Sequence, residues 1–180
     1  VAPEVLSATL NDQPIDISGF DGARLQVSNL AEENRLVIDA NCAYSNTGEG
    51  LHKFTDPADG EIYLYSQFEI ADARRVFACF DQPDLKATYE FTVDAPESWK
   101  VFSNTFADVD DMDGFKRHRF AETRRISTYI TAIVAGDYYG VTDWYKGEFD
   151  IYPLGLYCRK SMAQYLRSEE RRVGKECRSR

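Results

Sequence analysis

Alternation of apolar and polar side chains is the clearest pattern in this chain. Between Lys86 and Ala95 every second residue is apolar or aromatic, and the residues between them are polar or charged. This period of two predicts a β-strand with one buried and one solvated face. From Ser127 to Ala135 apolar residues fall on both faces of an extended chain, which predicts an interior strand covered on both sides.

Further short segments have strand character and are separated by turn-forming Asn, Asp, Gly and Pro residues. They are Val5–Leu10, Arg24–Val27, Arg35–Ala40, Ile62–Glu69, Lys100–Ser103 and Lys116–Ala121. Two other short segments, Ile70–Phe77 and Ser161–Leu166, favour helix. Many short strands joined by polar turns predict a mostly β fold, either a sandwich or a strongly curved sheet.

Composition and charge exclude several classes of protein. The 180 residues are 43% hydrophobic and 13% aromatic, which is enough for a packed core and argues against disorder. The net charge of −9 argues against a nucleic-acid partner, because neutralising phosphates requires clustered Lys and Arg. No run of about 18 apolar residues occurs, so we expect no membrane span.

Both ends of the sequence suggest a piece cut from a longer protein. The chain begins at Val1 without Met and enters a strand-like segment almost at once. Residues 167–180 are rich in Arg and Glu and resemble an in-frame translation of a sequencing adapter. We therefore interpret 167–180 as a scar and leave it out of the fold prediction. A natural basic tail is the alternative.

The cysteines and histidines do not form a recognisable catalytic or metal-binding motif. Outside 167–180 the cysteines are Cys42, Cys79 and Cys158, an odd number without a close pair, so reduced thiols in a cytosolic protein are expected. His52 and His118 are far apart, and no His-Glu-x-x-His helix is present. From its own residues, the chain is expected to contain neither a catalytic group nor a metal site.

The segment from Leu64 to Ala87 is the most specific part of the sequence. It contains Gln-Phe-Glu at 67–69, followed by Ala-Arg-Arg-Val-Phe-Ala-Cys-Phe-Asp-Gln-Pro at 73–83. This order resembles the amino-terminal domain of the zinc aminopeptidase N family, most closely its bacterial forms. Tyr44–Phe54 is similar to the family's approach to that strand, and Arg125–Ala132 is similar to its later Ser-Thr-Tyr strand. The similarity extends from Val1 to Leu166.

The resemblance implies a saddle-shaped, curved β-sandwich that caps a thermolysin-like catalytic domain. Residues 1–152 would form this β domain, incomplete at its start, and residues 153–166 would begin the catalytic domain. The parent would be a cytoplasmic zinc metallopeptidase, a hydrolase that removes single residues from peptide amino termini. Its zinc would be bound by the missing catalytic domain, so the fragment alone is expected to be inactive. Its partners would be that domain and a peptide with a free amino terminus.

The resemblance also assigns a substrate-binding role to Gln67 and Glu69. These residues match the family positions that line the first specificity pocket and contact the free amine of the substrate. Positions i and i+2 of a strand share a face, so both side chains would project together. A carboxylate is a natural partner for the charged amine of a peptide. The alternative is that both residues only form the solvated face of an alternating strand.

Other residues in these motifs are interpreted as structural. Arg74 and Asp81 could pair across the turn, Cys79 is expected to be a buried filler, and Ser127 and Thr128 are expected to satisfy partners inside a strand. A second function remains open, namely a self-sufficient β-sandwich module for carbohydrate or protein adhesion. Its binding platform would be the aromatic residues Tyr63, Tyr65, Trp144 and Tyr145.

Overall fold

The computed structural model describes residues 4–166, and within this range the chain is built mostly of short β-strands. The strands are β1 (Glu4–Leu10), β2 (Gln13–Pro14), β3 (Leu36–Asn41), β4 (Gly50–Thr55), β5 (Ile62–Gln67), β6 (Thr92–Ala95), β7 (Lys100–Phe102), β8 (Ala107–Asp111), β9 (Lys116–Phe120), β10 (Val134–Gly136), β11 (Tyr138–Lys146) and β12 (Ile151–Arg159). Three 3₁₀ helices, Ala73–Arg75, Thr128–Ile130 and Lys160–Met162, interrupt or follow them. The predicted mostly β fold class is confirmed.

The strands of the described residues form four sheets. Their strand orders are β2-β1-β3, β4-β5-β10-β7, β6-β9-β8 and the hairpin β11-β12. The pairs with a defined register are antiparallel, as between β1 and β3, where Ala8 lies opposite Ile38. Antiparallel sheets with short connections explain why alternating sequence patterns were informative here. The saddle curvature stays a prediction.

The Cα positions cluster into two compact units. Of the described residues, unit 1 contains 4–52, Tyr65–Glu90 and Glu122–Ala132, and unit 2 contains Lys53–Leu64, Phe91–Ala121 and 133–166. The predicted domain boundary between residues 152 and 153 falls inside β12 and stays a prediction. The predicted scar at 167–180 lies outside the described residues.

The core of unit 1 is aromatic and includes the end of β5. Phe68, which follows this strand, is only 1% exposed, and its ring meets Phe77 edge to face at 5.9 Å between centroids. Phe77 in turn contacts Tyr89 at 6.2 Å. Such edge contacts add to the apolar area that the rings bury. Phe68 is therefore the residue that anchors the end of β5.

Unit 2 is organised around Tyr63 on β5. Its ring is buried, meets Tyr138 edge to face at 4.9 Å, and lies so close to Gly136 that a Cβ there would approach it to 2.8 Å. The Tyr63 hydroxyl donates to the Asp137 carbonyl at 3.3 Å and accepts from the Lys160 amide at 3.0 Å. Because Tyr63 is a core residue, it does not belong to the predicted aromatic platform. Tyr65, Trp144 and Tyr145 are exposed.

A buried carboxylate ties the end of β12 to the turn before β5. Asp56 accepts hydrogen bonds from Arg159 at 3.0 Å, from the Ser161 hydroxyl at 2.6 Å and from the Ala58 amide at 3.0 Å. The Ser161 bond is the largest of the effects that hold the pKa of Asp56 below its usual value. The segment from Asp56 to Glu61 is a turn closed by the Gly60 amide, which donates to the Asp56 carbonyl.

Two predicted strands are partly or wholly wrong because side chains bind the backbone amides that a strand would use. Arg24–Val27 forms no strand, since the Asp21 carboxylate accepts from the amides of Ala23 and Arg24. In the segment from Lys86 to Ala95 the strand begins only at Thr92. Before it, the Tyr89 amide donates to the Thr123 hydroxyl, so the ladder is interrupted.

His118 on β9 is buried in unit 2 and leads to a prediction about pH. It lies opposite Val93 and Val109, is 5% exposed, and its Nε2 has no hydrogen-bond partner among the described residues. It lines a cavity of about 600 Å³ together with residues that include Phe120. Burial, and secondarily Lys116, lowers the pKa of His118.

A lowered histidine pKa makes the folded state less stable in mild acid, because the unfolded chain binds the proton more readily. We expect the free energy of unfolding to fall as pH drops below about 6.5, the ordinary pKa of histidine. His118→Phe should remove part of this decline, measured by urea unfolding between about pH 7 and 5, a range above ordinary carboxylate titration. An unchanged slope in the variant would contradict the assignment.

Candidate functional site

Gln67 and Glu69 lie at the end of β5, on either side of a buried aromatic residue. Gln67 is the last residue of the strand, so Glu69 lies two residues beyond it rather than within it. Both are exposed, whereas Phe68 between them is buried. Exposure thus alternates from Tyr65 to Glu69, and both polar side chains fall on the exposed positions. Their role in binding stays a prediction.

The turn that carries Glu69 is closed by backbone and side-chain bonds. The Asp72 amide donates to the Phe68 carbonyl at 3.1 Å, which encloses Glu69 and the two residues after it. The peptide bond between Glu69 and Ile70 is cis. The Asp72 carboxylate accepts from Arg75 Nε at 2.6 Å. Glu69 therefore lies in a turn whose two ends, Phe68 and Asp72, are hydrogen-bonded to each other, and Asp72 is also bonded to Arg75.

Short distances also connect this turn to the segment before β5. Arg75 reaches Glu49 at 3.3 Å, and its side chain lies over Gly50, where a Cβ would come within 3.3 Å of Arg75 Cδ. Gly50 has φ +65, a conformation that L side chains rarely adopt. The ring of His52, which accepts from the Gly48 amide at 3.0 Å, lies 4.7 Å from the Tyr65 ring. The Tyr44–Phe54 motif thus supports the turn with Glu69.

Asp81 connects the motif at residues 73–83, to which it belongs, with the Arg125–Ala132 motif. One carboxylate oxygen accepts from the Arg74 amide at 3.0 Å and the other from the Thr128 hydroxyl at 2.6 Å. The expected link between Arg74 and Asp81 is therefore made by the backbone of Arg74. The Ser127 hydroxyl donates to the Pro83 carbonyl at 2.6 Å.

These bonds also explain why the interior strand predicted for Ser127–Ala135 is wrong over its first half. Thr128–Ile130 is a 3₁₀ helix, and β10 begins only at Val134. The buried hydroxyls of Ser127 and Thr128 are satisfied by tertiary contacts, and the Thr131 amide and hydroxyl both bond the Thr128 carbonyl. The sequence predicted that Ser127 and Thr128 would have polar partners, but it did not predict the 3₁₀ helix.

Cys79, within the same motif, has the environment of an unreactive thiol. It is partly buried, and burial together with the Asp81 charge raises its pKa to about 12. We expect iodoacetamide at about pH 8 to modify the exposed Cys42 well before Cys79, because the thiolate is the reacting form. Peptide mapping after timed alkylation measures this order, and denaturation should remove the difference. Equal rates in the folded chain would contradict the buried-filler interpretation.

The described residues do not provide a metal site. No group of three or more His, Cys, Asp or Glu side chains between residues 4 and 166 is arranged to hold a metal ion. The side chains at this site therefore do not fit zinc, and we assign none of its chemistry to them.

Between residues 4 and 166, no helix has the length and apolar character needed to cross a membrane.

What the arrangement offers is an exposed amide at the end of β5 and, two residues later, an exposed carboxylate on the turn that follows. Such a pair can accept charge-assisted hydrogen bonds from a cation. Sequence reasoning identified these two residues, but it missed the support given by Phe68 and the Asp81–Thr128 bond. The available signal was the pair of hydroxyl residues at 127 and 128 within an otherwise apolar segment.

Comparison with known proteins gives a consistent family assignment. Residues 20–130 match the model of the Peptidase M1 N-terminal domain. The chain is 48% identical over 168 residues to the aminopeptidase N of Streptomyces lividans, covering 92% of this chain and 19% of that protein. It is 35% identical over 134 residues to the aminopeptidase N of Acetobacter pasteurianus, covering 72% of this chain and 37% of that protein.

A solved structure shares the fold. The crystal structure of Legionella pneumophila aminopeptidase A in complex with aspartic acid superposes with a TM-score of 0.74 at 18% identity, over 91% of this chain and 20% of that one. The present chain thus spans about a fifth of that protein and of the Streptomyces relative. The family predicted from the sequence motifs is confirmed. The chain belongs to the peptidase M1 family and carries its N-terminal domain.

Proposed function

We propose that this chain is the substrate-anchoring domain of a zinc-dependent aminopeptidase that removes single residues from peptide amino termini. The observation that carries the proposal is the position of Gln67 and Glu69. Both are exposed beside the buried Phe68, Gln67 at the end of β5 and Glu69 on the hydrogen-bonded turn that follows. The relatives named aminopeptidase N support the reaction class.

The chemistry of the pair suits a peptide α-ammonium. This group has a pKa of about 8 and is mostly charged at neutral pH, with three N–H donors to satisfy. The Glu69 carboxylate supplies the opposite charge, and the side-chain oxygen of Gln67 accepts a second hydrogen bond. An acetylated amino terminus has no such charge. The pair would therefore select free amino termini and reject blocked ones.

Anchoring the amine also determines which bond is cleaved. If the ammonium is held at one place, the first peptide bond lies at a fixed distance from it. Positioning of this kind lowers the barrier, because the reacting groups no longer have to find each other. The zinc would be bound by the part of the protein outside this chain, and it would supply Lewis-acid activation of the carbonyl and of water there. The residues of this chain hold and orient the substrate.

The proposal places the protein in the cytoplasm. Cys42, Cys79 and Cys158 are free thiols in the structure, as is common in reducing compartments.

The test uses the complete protein that carries this chain. A set of peptides with free amino termini, each matched with its acetylated form, is incubated with the protein, and released amino acids are measured over time. We expect sequential release of single residues from the free peptides and none from the acetylated ones. Removal of metal by a chelator should abolish release, and added zinc should restore it. Cleavage at internal bonds, or equal cleavage of acetylated peptides, would contradict the proposal.

A further inference from the structure

We propose that Asp81 and Thr128 form a positioning pair that holds the Glu69 carboxylate in place for the substrate amine. This inference rests on the proposed function and adds two residues that do not touch the substrate themselves. They act through the backbone of the segment that follows Glu69. The contacts that connect both residues to this segment lie within unit 1.

The bond between the two residues is partly buried. Thr128 is 1% exposed, and its hydroxyl donates to Asp81 at 2.6 Å. Because the acceptor is a carboxylate, this bond is stronger than one between neutral groups. Residues 81 and 128 are 47 positions apart in sequence. The bond therefore ties two distant segments of the chain together.

The second oxygen of Asp81 carries the connection toward the site. It accepts from the Arg74 amide, in the middle of the 3₁₀ helix Ala73–Arg75. This helix begins four residues after Glu69, and Ala73 is fully buried. Asp81 thus bonds the backbone of this helix with one carboxylate oxygen and the Thr128 hydroxyl with the other.

The contacts between this helix and the turn with Glu69 join residues close in sequence. Arg75, the last residue of the helix, binds the Asp72 carboxylate, and the Asp72 amide bonds the Phe68 carbonyl. Glu69 lies between Phe68, which the core holds, and the helix, which Asp81 holds. If the Asp81–Thr128 bond is removed, one end of this turn loses its support. The charge of Glu69 remains, but its position is less well defined, and small displacements weaken both binding and reaction.

The experiment measures amine recognition in the complete protein with two competitive inhibitors. L-leucinol carries the amine and 4-methylpentan-1-ol lacks it. We expect Thr128→Val to raise the inhibition constant of L-leucinol about tenfold, because a displaced Glu69 carboxylate bonds the amine less well, and to leave that of the alcohol unchanged. Thr128→Ser keeps the hydroxyl and should restore most of the loss. Asp81→Asn cannot accept both bonds and should resemble Thr128→Val.

Thr105→Val is the matched control, since the Thr105 hydroxyl donates to the Ala121 carbonyl at the same 2.6 Å, in unit 2. It should leave the ratio of the two inhibition constants unchanged. A change in this ratio as large as that of Thr128→Val would show a general loss of structure and overturn the inference. So would an unchanged ratio in both Thr128→Val and Asp81→Asn.

A double variant separates this inference from the proposed function. If Thr128 acts through Glu69, Thr128→Val has no further effect on the ratio when Glu69 is already Gln. An equal effect in both backgrounds would overturn the inference while leaving the proposed function intact. If Glu69→Gln alone changes nothing, the proposed function itself fails.

Discussion

In the complete protein, replacing Glu69 with Ala is expected to lower kcat/KM for peptides with a free amino terminus about 30- to 1,000-fold. This corresponds to about 2–4 kcal/mol, the range for removing one partner of a buried charge pair. The physical reason is that the substrate ammonium would be desolvated on binding without a compensating charge. The measurement is steady-state kinetics with one free peptide and its acetylated form.

The control for this variant is a carboxylate of the same unit away from the site. Glu90 is exposed, and Glu90→Ala should leave kcat/KM within about twofold of the unsubstituted protein, as surface substitutions usually do. Glu69→Gln keeps the size of the side chain and removes its charge, so it should show most of the loss. If Glu69→Ala and Glu90→Ala have equal kinetics, Glu69 is only part of a solvated face.

Replacing Phe68 with Ala is expected to destabilise the protein by about 3–5 kcal/mol, the usual cost of deleting a buried aromatic ring. Phe68 is 1% exposed and packs edge to face on Phe77, so its removal leaves a cavity under the end of β5. Because total stabilities are about 5–15 kcal/mol, this loss is a large share. Urea unfolding followed by tyrosine and tryptophan fluorescence measures it.

The same motif contains a matched control. Phe80 is 79% exposed, so Phe80→Ala should change the free energy of unfolding by only about 0.5 kcal/mol or less. Phe68→Leu fills part of the cavity and should lie between the two, which keeps the comparison possible if Phe68→Ala does not fold. Equal losses for Phe68→Ala and Phe80→Ala would show that Phe68 does not anchor the site.

The sequence was most informative where a strand lies between a core and solvent. The predicted segments Val5–Leu10, Ile62–Glu69 and Lys116–Ala121 correspond to β1, β5 and β9 within one or two residues. At the end of β5 the alternation also matches the exposure of Gln67 and Glu69 on either side of the buried Phe68. A period of two results directly from the geometry of extended backbone, so it can be predicted without knowing the partner strand.

The sequence was least informative where the hydrogen bonds of polar side chains compete with strand formation. These bonds are made either to neighbouring backbone amides or to residues far away in the sequence. Arg24–Val27 has the composition of a strand, yet Asp21 accepts from its first amide, that of Arg24, and from the preceding amide of Ala23. Ser127–Ala135 looks like an interior strand, yet its first half turns into a 3₁₀ helix beside Asp81 and Pro83. Local propensity does not predict such competition, because the outcome depends on which acceptor the fold brings near.

By itself, the sequence determined the family and the mostly β fold, and it predicted a binding role for the two polar residues that flank Phe68. The tertiary structure alone decided how these residues are supported. The Asp81–Thr128 bond joins positions 47 residues apart, and Tyr63 proved to be a core residue rather than part of a binding platform. The physical reason is that alternation depends on the backbone alone, whereas a hydrogen bond or a buried ring depends on partners that only the folded chain brings together.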